Sequence, residues 1–369
     1  MRQLTYGDIR AGEALPWDVF GATGALLVRK GYCPASDTHV DNLVARGFID
    51  APPLGAAAAA PVQEPPSVLR LLNQAVAELQ PLLHRIDAGG VGVQAELEQV
   101  ARLVGQAVEI NPEVAAACIL HNQQAAPYAV RHCVDTAVVA QIVARAVKRP
   151  ADEILAMTLG ALTMNVGMLG MQDERGPLSD AEKALVRAHP ERGVQLLRQA
   201  GITEPAWLDC VLSHHENEDG SGYPRGLAGA AIACAAKLVA LADRYCARIS
   251  VRAFRKPMLP NAALRDILLE ARHGLDAQLG AVLIRELGIY PVGTYVRLLN
   301  GEVGVVCRRG LHSTTPYVQS FIGPRGAPLD VFLQRDTRGD LSAIRDVLSA
   351  EDVDARIRMD QVWGRSALP

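Results

Sequence analysis

Aromatic side chains are scarce in this chain, at 4%, so any core must be built from Leu, Val, Ile and Ala. An excess of positive charge is also missing. The formal net charge of −3 excludes a general nucleic-acid binder and leaves room for a small anionic ligand held by a local basic cluster. No C-x-x-C pair occurs. Cys33, Cys118, Cys133, Cys210, Cys234, Cys246 and Cys307 are scattered and odd in number, which fits reduced thiols in a cytoplasmic protein better than a disulfide framework. Met1 to Asp8 has no apolar leader core, and no uncharged run of membrane-spanning length stands out, so neither export nor a membrane span is expected. What is abundant is apolar: 49% hydrophobic against 21% charged residues over 369 positions, enough for two or three globular domains.

The chain divides by pattern. Residues 1–50 read as a small α/β module. Leu15–Phe20 and Ala25–Val28 are strand candidates around the Gly21–Gly24 turn, Pro16 makes the first an edge strand at best, and Ser36 opens a helix ending at Gly47. Residues 51–67, rich in Ala and Pro, form a linker. From Val68 the apolar spacing becomes helical, stopped at Gly89-Gly90, and a second helix runs from Gln94 to Ile110 before Pro112. Helices then follow to about residue 287, so 68–290 is expected to be an all-α domain. Ser179 and Glu182 mark one helix start as a capping box. Tyr295–Leu299 and Glu302–Cys307 flank Asn300-Gly301, which predicts a β-hairpin with a type I′ turn inside a small β appendage at 291–335. Residues 336–369 are expected to be a peripheral tail. The predicted class is mainly α, with a small α/β module before the helical domain and a small β appendage after it.

Chemistry concentrates in one stretch, His214-His215-Glu216 followed by Asp219-Gly220-Ser221-Gly222-Tyr223-Pro224. Imidazole is the commonest protein ligand for transition metals, and glycines let backbone N–H groups approach a phosphate or a partner surface. Adjacent histidines are also often structural, so the motif needs partners. His132, His189 and Asp243 stand on separate helices of the same domain. His84, His121, His273 and His312 fit no constellation, and the Met157, Met164, Met168, Met171 series reads as core filler.

Together, His132, His189-Pro190-x-x-Gly193, His214-His215-Glu216, Asp219-Gly220-x-Gly222-Tyr223-Pro224, Asp243 and Tyr290-Pro291-Val292-Gly293 resemble the HD-GYP family over roughly residues 105–320. That family is a branch of the HD phosphohydrolase superfamily. The resemblance implies a helical HD-type metal enzyme that hydrolyses the bacterial second messenger cyclic di-GMP. In such enzymes two or three iron or manganese ions clamp the phosphate and activate a bridging water. It also implies that the Gly222-Tyr223-Pro224 loop serves nucleotide access or docking of a GGDEF-type cyclase domain, and that Arg252, Arg255 and Lys256 hold phosphates.

The chain departs from the family at the centre of the catalyst. Met164-Asn165 stand at the His-Asp pair that would supply a ligand and a bridging carboxylate, and Met168 stands at the phosphate-binding lysine. Tyr128 occupies a position that often carries an acidic ligand. A thioether is a poor ligand for a hard or borderline ion, and an amide brings no charge. The resemblance therefore implies at most one divalent metal (iron, manganese or zinc), no organic cofactor, and ligands drawn from His189, His214 and His215. His132 and Asp243 are either remnants of the other half or polar groups satisfied at a helix interface. The first expectation is a degenerate HD-GYP protein that binds cyclic di-GMP, a partner cyclase, or both, with little or no hydrolysis. The alternatives are an active phosphodiesterase with a reduced metal site and an adaptor that binds no nucleotide.

Overall fold

The computed structural model describes residues 1–50, 66–122, 126–171, 179–252, 255–353 and 357–369. The expected linker at 51–67 falls outside them except for Pro66 and Ser67. Two compact units are present, Met1–Pro66 and Ser67–Pro369.

In the first unit, β1 (Arg2–Gln3), β2 (Val19–Phe20), β3 (Leu26–Val28) and β4 (Phe48–Ile49) form an antiparallel sheet in the order β1-β4-β2-β3, with α1 (Asp37–Arg46) between β3 and β4 in sequence. The Ser36 hydroxyl caps α1 as expected, accepting from the His39 N–H. Pro16 does not confine its segment to an edge: β2 begins three residues later, at Val19, and pairs on both sides. Leu4, Ile9, Leu15, Val19, Val40, Leu43 and Ile49 make the core.

In the second unit α2 (Val68–Asp87) starts at Ser67, whose hydroxyl accepts from the Arg70 N–H, and buries Leu69, Leu72, Val76, Leu79, Leu83 and Ile86 along one face. It pairs with α3 (Gln94–Ile110). Asn111 caps α4 (Pro112–His121), where Pro112 occupies a first-turn position that needs no amide hydrogen. Next come α5 (Tyr128–Ala146) and α6 (Ala151–Thr163), then a 3-10 stretch at Val166–Met171. The helical set is completed by α7 (Asp180–Gln199), α8 (Pro205–Ser213), α9 (Cys234–Ile249), α10 (Pro260–Glu270) and α11 (Ala277–Leu287). Every residue of α5 from Ala129 to Ala144 is buried, so this helix is the axis of the unit, packed by α3, α6, α9 and α11. Ala151–Met171 is long and apolar enough to cross a membrane, but most of it is buried within this core.

The β part is larger than the expected appendage. β5 (Tyr295–Leu298), β6 (Val303–Arg308), β7 (Tyr317–Ile322), β8 (Pro328–Asp336) and β9 (Ile344–Leu348) form one antiparallel sheet in the order β8-β7-β6-β5-β9. The segment 336–369 is therefore not a peripheral tail. β9 pairs with β5, Trp363 of α12 (Met359–Trp363) donates to the Cys307 carbonyl at 2.9 Å, and the Leu368 carbonyl accepts from Ser67 Oγ at 2.5 Å. Val296, Leu298, Val306 and Val318 share one apolar cluster with the helices. The hairpin at Asn300-Gly301 forms, but not through a type I′ turn. Gly301 alone is left-handed, at φ +90, while Asn300 is not among the residues with positive φ, and the Gly301 N–H bonds to the Leu298 carbonyl at 2.9 Å. This is a three-residue loop, a turn followed by a left-handed glycine.

Candidate metal and anion site

Two helices place the histidine triad. Glu204 caps α8 by accepting from the Ala206 and Trp207 N–H groups, and the Trp207 indole donates to Thr163 Oγ1 at 2.8 Å. That contact fixes α8 against the end of α6, so His214 and His215 emerge from the last turn of α8 directly into the core. His189 arrives on α7, pressed onto the 3-10 stretch after α6. A Cβ on Gly167 would lie 2.3 Å from the His189 carbonyl oxygen and 2.8 Å from the Gly193 nitrogen, so glycine there is what permits the approach.

The ligand atoms of His189, His214 and His215 lie within 4.8 Å of one another. His189 Nδ1 faces the Val186 carbonyl, and His214 Nδ1 faces the Val211 carbonyl at 2.8 Å. A carbonyl only accepts, so each Nδ1 carries the hydrogen and each Nε2 is left with a bare lone pair. Those two Nε2 atoms face each other at 3.1 Å. Burial, with His214 beside it, pushes the His189 imidazolium down to about 3, and burial likewise lowers His214 and His215. A proton is thus disfavoured between two opposed lone pairs, and a cation is the group that satisfies them. Two imidazoles bound to one ion at about 2.1 Å in near-tetrahedral or square geometry sit about 3.0–3.4 Å apart, so the residues present fit a divalent transition metal.

His132 and Asp243 are brought together, but with each other. His132 Nε2 and Asp243 Oδ1 are 2.7 Å apart across α5 and α9. Burial raises the Asp243 carboxyl, yet the hydrogen bond and charge of His132 outweigh it and hold the group well below the usual carboxylate range. Tyr128 stacks on the His132 ring, with centroids 5.0 Å apart and planes 18° from parallel. Met164 and Asn165 are buried, Met164 within the apolar core, and Met168 is half-buried in the 3-10 stretch.

The Gly-Tyr-Pro loop is folded back over the triad. A Cβ on Gly222 would lie 2.4 Å from the Asn217 nitrogen and 2.5 Å from Glu216 Cα, which leaves room for no other residue. The Tyr223 N–H bonds to the His215 carbonyl at 3.2 Å, and the Tyr223 ring stacks on the His215 ring at 4.8 Å and 27°. The Tyr223–Pro224 peptide is cis. Glu216 secures the loop: its buried carboxylate accepts from the Arg225 N–H at 2.7 Å and the Leu227 N–H at 2.9 Å. Sequence reasoning quoted Glu216 without assigning it a task. Its only signal was a carboxylate set immediately after two adjacent histidines.

The basic residues expected to hold phosphates take different partners, although Arg252 and Arg255 stay joined by an antiparallel bridge. Arg252 lies over the Tyr128 ring, 4.3 Å from its centroid, and donates to the Tyr128 hydroxyl. Arg255 donates to the Ala247 carbonyl, and exposed Lys256 pairs with Glu351 at 2.6 Å. Nearer the triad, Arg244 bonds to the Asn217 side chain and pairs with Glu270 at 3.8 Å. Sequence reasoning also missed Arg187, whose guanidinium carbon is 4.7 Å from the Tyr223 ring centroid.

Comparison with known proteins places this arrangement. The model of the HD domain family matches residues 114–279. Over 203 residues the chain is 33% identical to the cyclic di-GMP phosphodiesterase PA4108 of Pseudomonas aeruginosa, covering 54% of this chain and 49% of that one. Over 153 residues it is 31% identical to the cyclic di-GMP phosphodiesterase response regulator RpfG of Xanthomonas campestris, covering 40% of each. Over 169 residues it is 28% identical to the 3'3'-cGAMP-specific phosphodiesterase 3 of Vibrio cholerae, covering 45% of this chain and 36% of that one. The chain thus spans about half the length, or less, of these curated relatives. A solved structure, the HDG"Y"P protein Bd1817 from Bdellovibrio bacteriovorus, aligns at TM-score 0.49 and 15% identity over 76% of this chain and 97% of that one. The helices that carry the triad, His132 and Asp243 all lie inside the segment 114–279 that matches the HD domain family.

Proposed function

We propose that this chain is an HD-GYP-type protein of cyclic di-GMP signalling that binds a cyclic dinucleotide at a single-metal site and hydrolyses it weakly or not at all. One observation carries the reading. The imidazole nitrogens of His189 and His214 oppose each other at 3.1 Å with their other nitrogens committed to carbonyls, whereas His132 and Asp243 already satisfy each other at 2.7 Å. The first arrangement calls for a cation; in the second the facing nitrogen already has a carboxylate partner. Iron, manganese or zinc would be held by His189, His214 and His215, and its chemistry there would be to polarise a phosphate oxygen. The protein's own contribution is to keep the three imidazoles neutral, to exclude water by burial, and to close Tyr223 over His215. Hydrolysis by two clamped metals needs a bridging carboxylate, and Asn165 offers an amide at that position.

The dinucleotide class is supported by the names of the relatives, which act on cyclic di-GMP or 3'3'-cGAMP. The test is metal content together with calorimetry and product analysis on the purified full chain. One metal per chain, binding of cyclic di-GMP and negligible turnover are expected. Rapid conversion to linear dinucleotide or GMP would establish the active-phosphodiesterase reading. Absence of nucleotide binding, with a GGDEF-type cyclase domain docking through the Gly222-Tyr223-Pro224 loop, would establish the adaptor reading.

A further inference from the structure

Arg187 lies on α7 two residues before His189, and it is exposed. Its guanidinium sits over the Tyr223 ring at 4.7 Å, and that ring stacks on His215 at 4.8 Å. One aromatic ring therefore couples this cation to a member of the histidine triad. The other arginines nearby are spoken for: Arg244 by Asn217 and Glu270, Arg225 by Asp209 and Ser213, Arg248 by Glu270, and Arg252 by Tyr128. Among the described residues, Arg187 has no carboxylate within ion-pairing distance. Contact with a ring face occupies no N–H donor, so the guanidinium keeps its planar array of donors for a ligand.

We propose that Arg187 is the phosphate-recognising residue of the triad site. A phosphodiester seated at His189, His214 and His215 presents a non-bridging oxygen to the Arg187 guanidinium, while the Tyr223 ring holds the side chain in place. Arg187 thereby supplies the cation that Met168 cannot offer and that Arg255 and Lys256, engaged with Ala247 and Glu351, direct elsewhere. The inference rests on the proposed reading that the triad holds a metal and receives a cyclic dinucleotide. It adds the residue that recognises the phosphate.

The experiment uses the full chain loaded with manganese, as wild type, Arg187→Gln and Arg187→Lys. Metal content and melting temperature are measured beside calorimetry with cyclic di-GMP. The expected result is unchanged metal content and melting temperature in Arg187→Gln with affinity weakened about tenfold or more. Arg187→Lys should retain part of the affinity, since it keeps the charge and loses the planar fork. Wild-type affinity in Arg187→Gln would overturn the inference while leaving the metal-site reading standing. Loss of metal in Arg187→Gln would also overturn it, by showing a structural role at the triad. If the wild type binds no cyclic di-GMP, the dinucleotide reading fails, and inorganic phosphate becomes the probe. Phosphate binding weakened by Arg187→Gln would then uphold the inference, and equal or absent phosphate binding would overturn it.

Discussion

On the side built by α7 and α8, two imidazole nitrogens meet at 3.1 Å, neither with a proton to offer the other. On the side built by α5 and α9, an imidazole nitrogen meets a carboxylate at 2.7 Å, with a tyrosine ring stacked on the imidazole. Both sides are buried and both use histidine, yet in one, the open half, the facing nitrogens oppose each other, while in the other, the closed half, the facing nitrogen is neutralised by a carboxylate of the protein. Burial alone does not make a histidine a ligand. What separates the two is where the second ring nitrogen goes. In the open half the Nδ1 atoms of His189 and His214 are fixed by carbonyls three residues back, which aims both Nε2 lone pairs inward. In the closed half Nε2 is already bonded to Asp243, and His132 Nδ1 is buried without a hydrogen-bond partner among the described residues.

The largest effect should come from breaking the open half. His214→Ala removes one of three imidazoles and should weaken metal binding by at least about two orders of magnitude, more than loss of an outer partner would cost. Equilibrium dialysis with manganese or zinc checks it. The corresponding His132→Ala change should leave metal content near the wild-type value, and equal losses in both variants would erase the distinction. Reopening the closed half comes next. Met164→His combined with Asn165→Asp restores an imidazole and a carboxylate beside His132 and Asp243 and should raise metal stoichiometry from about one to about two per chain. Unchanged stoichiometry would mean the second half is shut by more than those two substitutions.

Smaller effects test what holds each half in shape. Glu216→Ala strips the buried acceptor from the Arg225 and Leu227 N–H groups and should destabilise the fold by about 2–3 kcal/mol, read by urea denaturation. Glu216→Gln keeps one acceptor and should lose about half as much. Tyr128→Phe retains the ring on His132 and removes only the hydroxyl that accepts from Arg252, so it should cost about 1 kcal/mol with metal content unchanged.

The open half was legible in the sequence because its parts are local. His214 and His215 are adjacent, His189 precedes them by one helix and turn, and the glycine-rich loop follows directly. Helix starts at Ser36 and Ser179 could be read for the same reason, since capping is decided within four residues. The closed half was legible only as substitutions. Nothing in the spacing of Tyr128 and Arg252, 124 residues apart, announces that one will hold the other. Arg187 escaped notice because an exposed basic side chain on a polar helix face reads as solvated surface until Tyr223 is folded beneath it. The sheet shows the same limit. β5 and β6 follow from a local turn, whereas the pairing of β9 with β5 joins segments some fifty residues apart and recruits a stretch whose composition resembles a tail.

The central claim is that one half of this site takes a metal and the other does not. Metal analysis of the full chain purified with manganese and iron supplied, combined with anomalous scattering from crystals, tests it most directly. The account predicts one ion per chain, bound by His189, His214 and His215. A second ion between His132 and Asp243 would contradict it.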